Sequence, residues 1–119
     1  TFGHAIEVVT NYEIPHGTAV AIGMIMANSV SLKRRLISEE IVRKSESVLL
    51  KVIDIDPNLL NVPVENVIDA MRKDKKQVGN NLTVVLIAEN SDNSLDLIIK
   101  HDLDKQEVVD AFQYFLSLS

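Results

Sequence analysis

The sequence predicts a mainly α-helical fold of four to six helices with one small β-hairpin, in a single domain over residues 1–119. Three observations lead to this prediction. Apolar residues recur at helical spacing in several stretches. Ser, Asp or Pro precedes most of these stretches, as is common at helix N-termini. Two apolar runs within residues 82–100, separated by polar residues, indicate strands that pair as a hairpin.

The first half of the chain begins with helical segments. Residues 2–9 are compact and apolar, as at the end of a helix, and Pro15 marks a break. Residues 16–36 predict a helix that is apolar on almost all sides between 19 and 27, so we expect it to be deeply buried. Ser38 then caps a helix whose inner face comprises Ile41, Val42, Ser45, Val48, Leu49, Val52 and Ile53.

Two prolines mark the boundaries of the elements in the middle of the chain. Pro57 and Asn58 mark a loop, because proline cannot continue a helix. Pro63 opens a short helix, since its fixed φ suits the first helical turn. This helix leads into a basic cluster at residues 72–76 and a turn at 79–81.

The last third predicts the hairpin and one more helix. Residues 82–88 form the first strand and residues 95–100 form the second. Leu95, Leu97 and Ile99 occupy alternate positions of the second strand. Asp104 caps the final helix. The buried stripe of that helix comprises Val108, Val109, Ala111, Phe112, Phe115 and Leu116.

Composition excludes several classes of function. The 12 basic and 17 acidic residues give a net charge of −5, which argues against broad nucleic-acid binding through phosphate neutralisation. The absence of cysteine excludes disulfides and thiolate zinc sites. No apolar run is long enough for a membrane span and no signal peptide is visible, so we expect a cytoplasmic protein. Because the chain begins at Thr1, we expect it to be a fragment of a longer polypeptide.

Two histidines are the first candidates for chemistry. His4 and His16 lie twelve residues apart, and each is next to a glycine that allows close approach of backbone or ligand. Neutral imidazole is a common metal ligand and a common acid or base near neutral pH. The spacing also fits two histidines with structural roles. A catalytic zinc needs three protein ligands, and the spacing does not reveal a third.

A carboxylate and a lysine pair are the other candidates. Glu7 follows His4 by three residues, so on a helix it could orient that imidazole, or it could be a surface or capping carboxylate. Lys75 and Lys76, after Asp74, could bind a phosphate or carboxylate. They could equally form a solvated helix end that suits the helix dipole. His101 is most simply a surface residue.

Taken together, these segments resemble the C-terminal domain of the 3-dehydroquinate synthase family, within the sugar phosphate cyclases. The resemblance covers the chain from end to end and rests on Thr1-Phe2-Gly3-His4-Ala5-Ile6-Glu7, on the stretch from His16-Gly17 to Gly23-Met24, and on Asp74-Lys75-Lys76. It implies that His16 binds zinc or another divalent metal. His4 would then be a catalytic residue near the reacting centre. It also implies that Lys75 or Lys76 contacts an anionic group of the substrate.

The resemblance also implies what lies outside this sequence. The other two zinc ligands would be a histidine just before Thr1 and a glutamate of an N-terminal domain that binds NAD. The family forms a carbocycle from a seven-carbon sugar acid phosphate through transient oxidation by NAD, loss of phosphate, reduction, ring opening and an aldol step. We therefore expect the fragment alone to be inactive, and a homodimer is possible.

Two departures from the family pattern keep alternatives open. Thr18 stands where the family usually has Glu after His-Gly, and the loop 89–93 is unlike a short glycine turn. A related cyclase, of the 2-deoxy-scyllo-inosose or valiolone synthase type, therefore remains an alternative, as does a metal-dependent alcohol dehydrogenase. A non-catalytic helical metal-binding or interaction domain is a further alternative.

Overall fold

The protein is mainly α-helical with one antiparallel hairpin. A computed structural model describes residues 2–73 and 82–118 of the chain. Within these residues the elements are α1 (Phe2–Val9), α2 (His16–Lys33), α3 (Glu39–Val52), a 3-10 turn (Pro57–Leu60), α4 (Val64–Arg72), β1 (Leu82–Glu89), β2 (Leu95–Leu103) and α5 (Lys105–Ser117). The predicted fold class is confirmed.

Helix α2 is the centre of the fold. It packs against α1, α3, α5 and strand β1, and eleven of its eighteen residues are buried. This burial on several sides explains why its sequence has no polar face. The main core then joins α2 to the inner sides of the other elements, through residues such as Ile6, Ile22, Ile68, Leu86 and Phe112.

Helix α2 ends three residues before the predicted position at Leu36. Arg34 forms the C-cap, and Arg35 adopts a left-handed conformation with φ of 61°. The amide of Leu36 then donates to the carbonyl of Ser31 over 2.9 Å. This hydrogen bond satisfies a carbonyl of the last helical turn, which is how many helices end.

The predicted caps of two helices are present. The Ser38 hydroxyl accepts a hydrogen bond from the amide of Ile41 at the start of α3. At the start of α5, the Asp104 side chain accepts from the amide of Glu107, and the Glu107 side chain accepts from the amide of Asp104. This reciprocal pair is a capping box, which satisfies two backbone donors that helix geometry leaves free.

Strands β1 and β2 pair as predicted, and β2 extends three residues beyond the predicted end at Lys100. The inner side of β1 is buried and packs towards α2, whereas the alternating apolar residues of β2 face outwards. Val85 pairs with Ile99, and Ile87 pairs with Leu97. Leu97 is 73% exposed. The outer face of the hairpin is therefore aliphatic: it comprises Val85, Ile87, Leu95, Leu97 and Ile99.

Several sequence predictions are wrong in detail. Val48 and Val52, assigned to the inner face of α3, are exposed, because α3 packs mainly through Val42 and the half-buried residues near it. Leu116 of α5 is also exposed. Residues Pro57–Leu60 form a 3-10 turn rather than an open loop, and the Asp56 carboxylate caps this turn by accepting from the amide of Asn58.

Candidate functional site

The site is built on the close crossing of α1 and α2. A Cβ atom added at Gly23 would lie 2.6 Å from the amide nitrogen and 3.0 Å from the Cα of Gly3. A Cβ at Gly3 would lie 3.1 Å from the carbonyl oxygen of Ala19. The two helix backbones are thus in contact, and only glycine at position 23 allows this approach without a shift.

A tight turn returns the chain from α1 to α2. The Thr10 hydroxyl donates to the carbonyl of Ile6 over 2.8 Å, and the amide of Tyr12 donates to the carbonyl of Glu7 over 2.8 Å. Asn11 and Tyr12 both have φ of 58°, in the left-handed region that is unfavourable for a tyrosine. The turn therefore reverses the chain within a few residues and places the start of α2 beside the last turn of α1.

This turn joins Glu7 to His16. The Nδ1 atom of His16 lies 3.0 Å from Oε1 of Glu7. The Glu7 side chain is only 14% exposed, whereas that of His16 is 77% exposed. The carboxylate is thus held at the junction of the two helices, while the imidazole extends towards solvent. From the sequence, Glu7 could orient His4 or be a surface or capping carboxylate; in the structure its carboxylate contacts His16 instead.

His4 and His16 line the same pocket, as their candidate role requires. This open pocket has a volume of about 380 Å³. Glu7 and Gly3 also line this pocket. His4 is exposed, and no described residue offers its imidazole a hydrogen bond. Its ring nitrogens are therefore available to a molecule that enters the pocket.

The rest of the pocket wall was not identified from the sequence. Along α2 it continues through Val20, Met24, Ala27 and Asn28, and across from them it includes Val85, Ile87 and Leu97 of the hairpin. Spacings of three and four residues after His16 place the α2 members on one helix face, which is a signal that the sequence does contain. The contribution of the hairpin has no comparable sequence signal, because it depends on tertiary packing.

The described residues fit a metal ion only as part of a larger ligand set. No group of three His, Cys, Asp or Glu residues within 2–73 and 82–118 could hold a metal. His16 has an arrangement that is common among metal-binding histidines, because a carboxylate contacts one ring nitrogen and the other has no described hydrogen-bond partner. Of the three protein ligands that a catalytic zinc requires, His16 could therefore supply one.

The lysine candidates fall outside the part of the chain that is described. Lys75 and Lys76 belong to residues 74–81, so their predicted contact with an anionic substrate group stays a prediction. The preceding residues Arg72 and Lys73 are exposed at the end of α4. His101 is exposed as expected, and its Nδ1 lies 3.0 Å from the Thr83 hydroxyl.

A second charged cluster lies at the other end of α2. The Arg34 guanidinium donates to both carboxylate oxygens of Glu107, each over 2.7 Å, and to a carboxylate oxygen of Asp102 over 2.9 Å. These hydrogen bonds lower the pKa values of the Glu107 and Asp102 carboxyl groups and raise the pKa of Arg34. The cluster joins α2, β2 and α5, and its donors are used within the protein.

Fold and site together define a mainly helical domain with a two-histidine pocket at the junction of its first two helices. The sequence model of the family described as 3-dehydroquinate synthase C-terminal matches residues 1–77. The chain belongs to this family.

Individual relatives agree with the family assignment. The chain is 40% identical over 86 residues to a 3-dehydroquinate synthase of Acetivibrio thermocellus, an alignment that covers 72% of this chain and 24% of the relative. It is 35% identical over 119 residues to that of Campylobacter concisus, covering 97% and 32%. The chain therefore spans about a quarter to a third of the length of these relatives. No solved structure gives a significant match, and no helix in the described part of the chain has the length and apolar character to cross a membrane.

Proposed function

We propose that this chain is the metal- and substrate-binding domain of a 3-dehydroquinate synthase. The complete enzyme would convert a seven-carbon keto sugar acid phosphate into 3-dehydroquinate with loss of phosphate, in the shikimate pathway. The observation that carries the proposal is the geometry of the pocket: His4 and His16 both line it, and the largely buried side chain of Glu7 contacts one ring nitrogen of His16.

The two histidines have different roles in this proposal. His16 would contribute its Nε2 lone pair to a divalent metal, because Nδ1 is engaged by Glu7. His4 would contact the substrate near the reacting centre, where an unpartnered imidazole can accept or donate a proton. Its place on α1 fixes its position relative to His16, since the α1 and α2 backbones touch at Gly3 and Gly23.

Two cofactors complete the proposed site. NAD, held mainly by an N-terminal domain, would supply transient oxidation of the substrate, and zinc would supply Lewis-acid polarisation of an oxygen. Lys75 or Lys76 would bind an anionic group of the substrate as a point charge. We further propose a cytoplasmic location and leave the homodimer as a possibility carried over from the family, with neither nucleic acid nor a membrane as a partner.

The first test is the gene sequence upstream of Thr1. A preceding Gly-His and a glycine-rich nucleotide-binding domain would support the proposal. The encoded protein should then release phosphate from the seven-carbon substrate when supplied with NAD and Zn²⁺. Replacing His4 with Ala should reduce this rate by at least 100-fold, on the order of the usual effect of losing an acid–base group. Replacing His16 with Ala should reduce the rate because the metal would lose one of its ligands. Glu13→Ala is the matched control, because Glu13 is an exposed carboxylate in the nearby turn.

The same protein assigns the lysines. Lys75→Met and Lys76→Met, assayed separately, should identify the substrate-binding lysine by an increase in KM for the phosphate substrate. The 119-residue chain alone should release negligible phosphate. Robust turnover by the chain alone would contradict the proposal, as would a folded full-length protein that binds NAD and Zn²⁺ but accepts no sugar phosphate.

Two alternatives can be separated by experiment. Thr18, which is buried in the first turn of α2, departs from the family's usual Glu and leaves a related sugar phosphate cyclase as a candidate. Activity with the substrate of such a cyclase, and none with the seven-carbon acid phosphate, would identify it. A start codon directly before Thr1, together with stoichiometric zinc binding that is lost in His16→Ala, would instead favour a non-catalytic metal-binding domain.

A further inference from the structure

The chemistry of Glu7 and His16 determines which of the two groups donates the hydrogen bond between them. An ionised carboxylate can only accept hydrogen bonds, so at the 3.0 Å contact the Nδ1 atom of His16 must be the donor. In a neutral imidazole with its proton on Nδ1, the lone pair is on Nε2. Glu7 therefore selects one of the two tautomers of His16, and this is the tautomer that leaves Nε2 available as a ligand.

The position of Glu7 is fixed more firmly than that of His16. Glu7 lies in the last turn of α1, and its side chain is largely buried, whereas the His16 side chain is largely exposed. Among the described residues, Glu7 has no ion pair other than that with His16. At the start of α2, Pro15 provides no side-chain cap, and nothing within 4 Å would meet a Cβ at Gly17. Pro15 and Gly17, on either side of His16 in the sequence, therefore do little to hold its side chain in place.

We propose that Glu7 is the positioning residue for His16. It holds the imidazole over the pocket and keeps the proton on Nδ1, so that Nε2 is presented to a divalent cation. This inference rests on the proposed function for the metal, but the tautomer that it specifies is a property of this chain in the absence of metal. Glu7 acts only through His16 and does not contact the substrate in this proposal.

The tautomer is tested on the metal-free protein, in its longest natural form, by long-range ¹H–¹⁵N NMR at neutral pH. His16 in the unsubstituted protein should show a protonated Nδ1 and an unprotonated Nε2. In Glu7→Ala the proton should move largely to Nε2, the preferred position in an isolated imidazole. Glu7→Gln should retain the Nδ1 proton in part, because its amide oxygen still accepts a hydrogen bond. Glu13→Gln should leave the His16 signals unchanged.

The consequence is measured as Zn²⁺ affinity in the longest natural form of the protein, by competition with a chromophoric chelator. Loss of an outer partner of a metal-binding histidine costs on the order of 10–100-fold in affinity. We expect a loss of this size in Glu7→Ala, a smaller loss in Glu7→Gln and none in Glu13→Gln. Circular dichroism should show the same helix content in all four proteins.

The outcomes separate this inference from the proposed function. A protonated Nε2 in the unsubstituted protein would overturn the inference, and so would an unchanged tautomer in Glu7→Ala. If the tautomer changes as expected but no form of the protein binds Zn²⁺, the positioning role of Glu7 in the metal-free chain stands and the proposed metal function fails. If Zn²⁺ binds with equal affinity in the presence and absence of the Glu7 carboxylate, the proposed function survives and the positioning role for the metal is refuted.

Discussion

The two ends of helix α2 use similar chemistry for different purposes. At its N-terminus, His16 contacts one carboxylate, Glu7, which comes from α1. At its C-terminus, the Arg34 side chain contacts two carboxylates, Glu107 and Asp102, as well as the Asp102 carbonyl. The His16 side chain is 77% exposed, whereas that of Arg34 is 20% exposed. One end keeps a group available at a pocket, and the other uses its donors to join three elements.

This difference indicates where stability and function are separated in the molecule. Hydrogen bonds to a charged group that is largely removed from solvent contribute to folding, because water no longer competes for them. An exposed imidazole with a single partner contributes little. Substitutions at the C-terminal end should therefore change stability, and those at the N-terminal end should change ligand binding. The following predictions test this division.

The largest effect is expected at Gly23, between the two ends. Gly23→Ala places a Cβ 2.6 Å from the backbone of Gly3, so α1 must move away from α2. Overpacking of this kind costs about 1–3 kcal/mol, and we expect the upper part of that range because both neighbours are backbone. Urea denaturation measures the cost. Gly17→Ala is the control, since no atom lies within 4 Å of its added Cβ; equal destabilisation by both would contradict the explanation.

The next effect is expected at Arg34. Arg34→Met keeps an extended apolar side chain but leaves the half-buried Glu107 carboxylate without its main partner. Because hydrogen bonds to charged groups contribute about 1.5–3 kcal/mol, we expect a loss of about 2 kcal/mol in the free energy of unfolding. The neighbouring Lys33→Met should change it by less than about 0.5 kcal/mol, since the Lys33 pair with Asp110 is exposed. A larger effect of Lys33→Met than of Arg34→Met would contradict the stabilising role of Arg34.

The stabilisation by Arg34 should depend on pH. The hydrogen bond from Arg34 holds the pKa of Glu107 below its ordinary value of 4.5. A carboxyl group whose pKa is lowered by folding stabilises the protein above the unfolded-state pKa, and this contribution is lost as the pH falls through the folded-state pKa. The difference in unfolding free energy between the unsubstituted protein and Arg34→Met should therefore shrink by more than half between pH 7 and pH 3. A constant difference would assign the effect to packing instead.

The smallest effect on stability is expected at His16. His16→Gln replaces an exposed side chain with one whose amide can still donate to the Glu7 carboxylate. It should therefore change the free energy of unfolding by less than about 0.5 kcal/mol, as for most surface substitutions. The same substitution should strongly weaken Zn²⁺ binding in the longest natural form of the protein. Thermal unfolding and chelator competition on the same sample would measure stability and Zn²⁺ binding side by side. Destabilisation as large as that of Arg34→Met would assign His16 a structural role.

Much of the fold could be predicted because its signals are local. Ser38 and Asp104 act as caps on the residues that immediately follow them, so the sequence alone is enough to place the starts of α3 and α5. Helix α2 is apolar on almost all sides, and this pattern likewise predicted its burial. Val48 and Val52 of α3 were assigned wrongly, because apolar residues at helical spacing do not reveal how many neighbours the fold supplies to cover them.

The candidate site was predicted in part. His4 and His16 were identified as a pair, and they share a pocket. The contact of Glu7 with His16 was not identified, because it crosses a turn in which both Asn11 and Tyr12 are left-handed, and tyrosine gives no signal for that conformation. The hairpin wall of the pocket was missed because it depends on how the hairpin packs beside α2, which alternation within a strand does not reveal.

The sequence by itself determined the helical class, the helix caps, the hairpin and the two histidines, because each depends on residues that are close together along the chain. Only the tertiary structure decided which carboxylate holds His16, and it also decided that Arg34 joins α2 to β2 and α5. These contacts link residues 9 to 73 positions apart. They form only after the backbones of α1 and α2 meet at Gly3 and Gly23 and the hairpin and α5 pack on α2, so no local pattern encodes them.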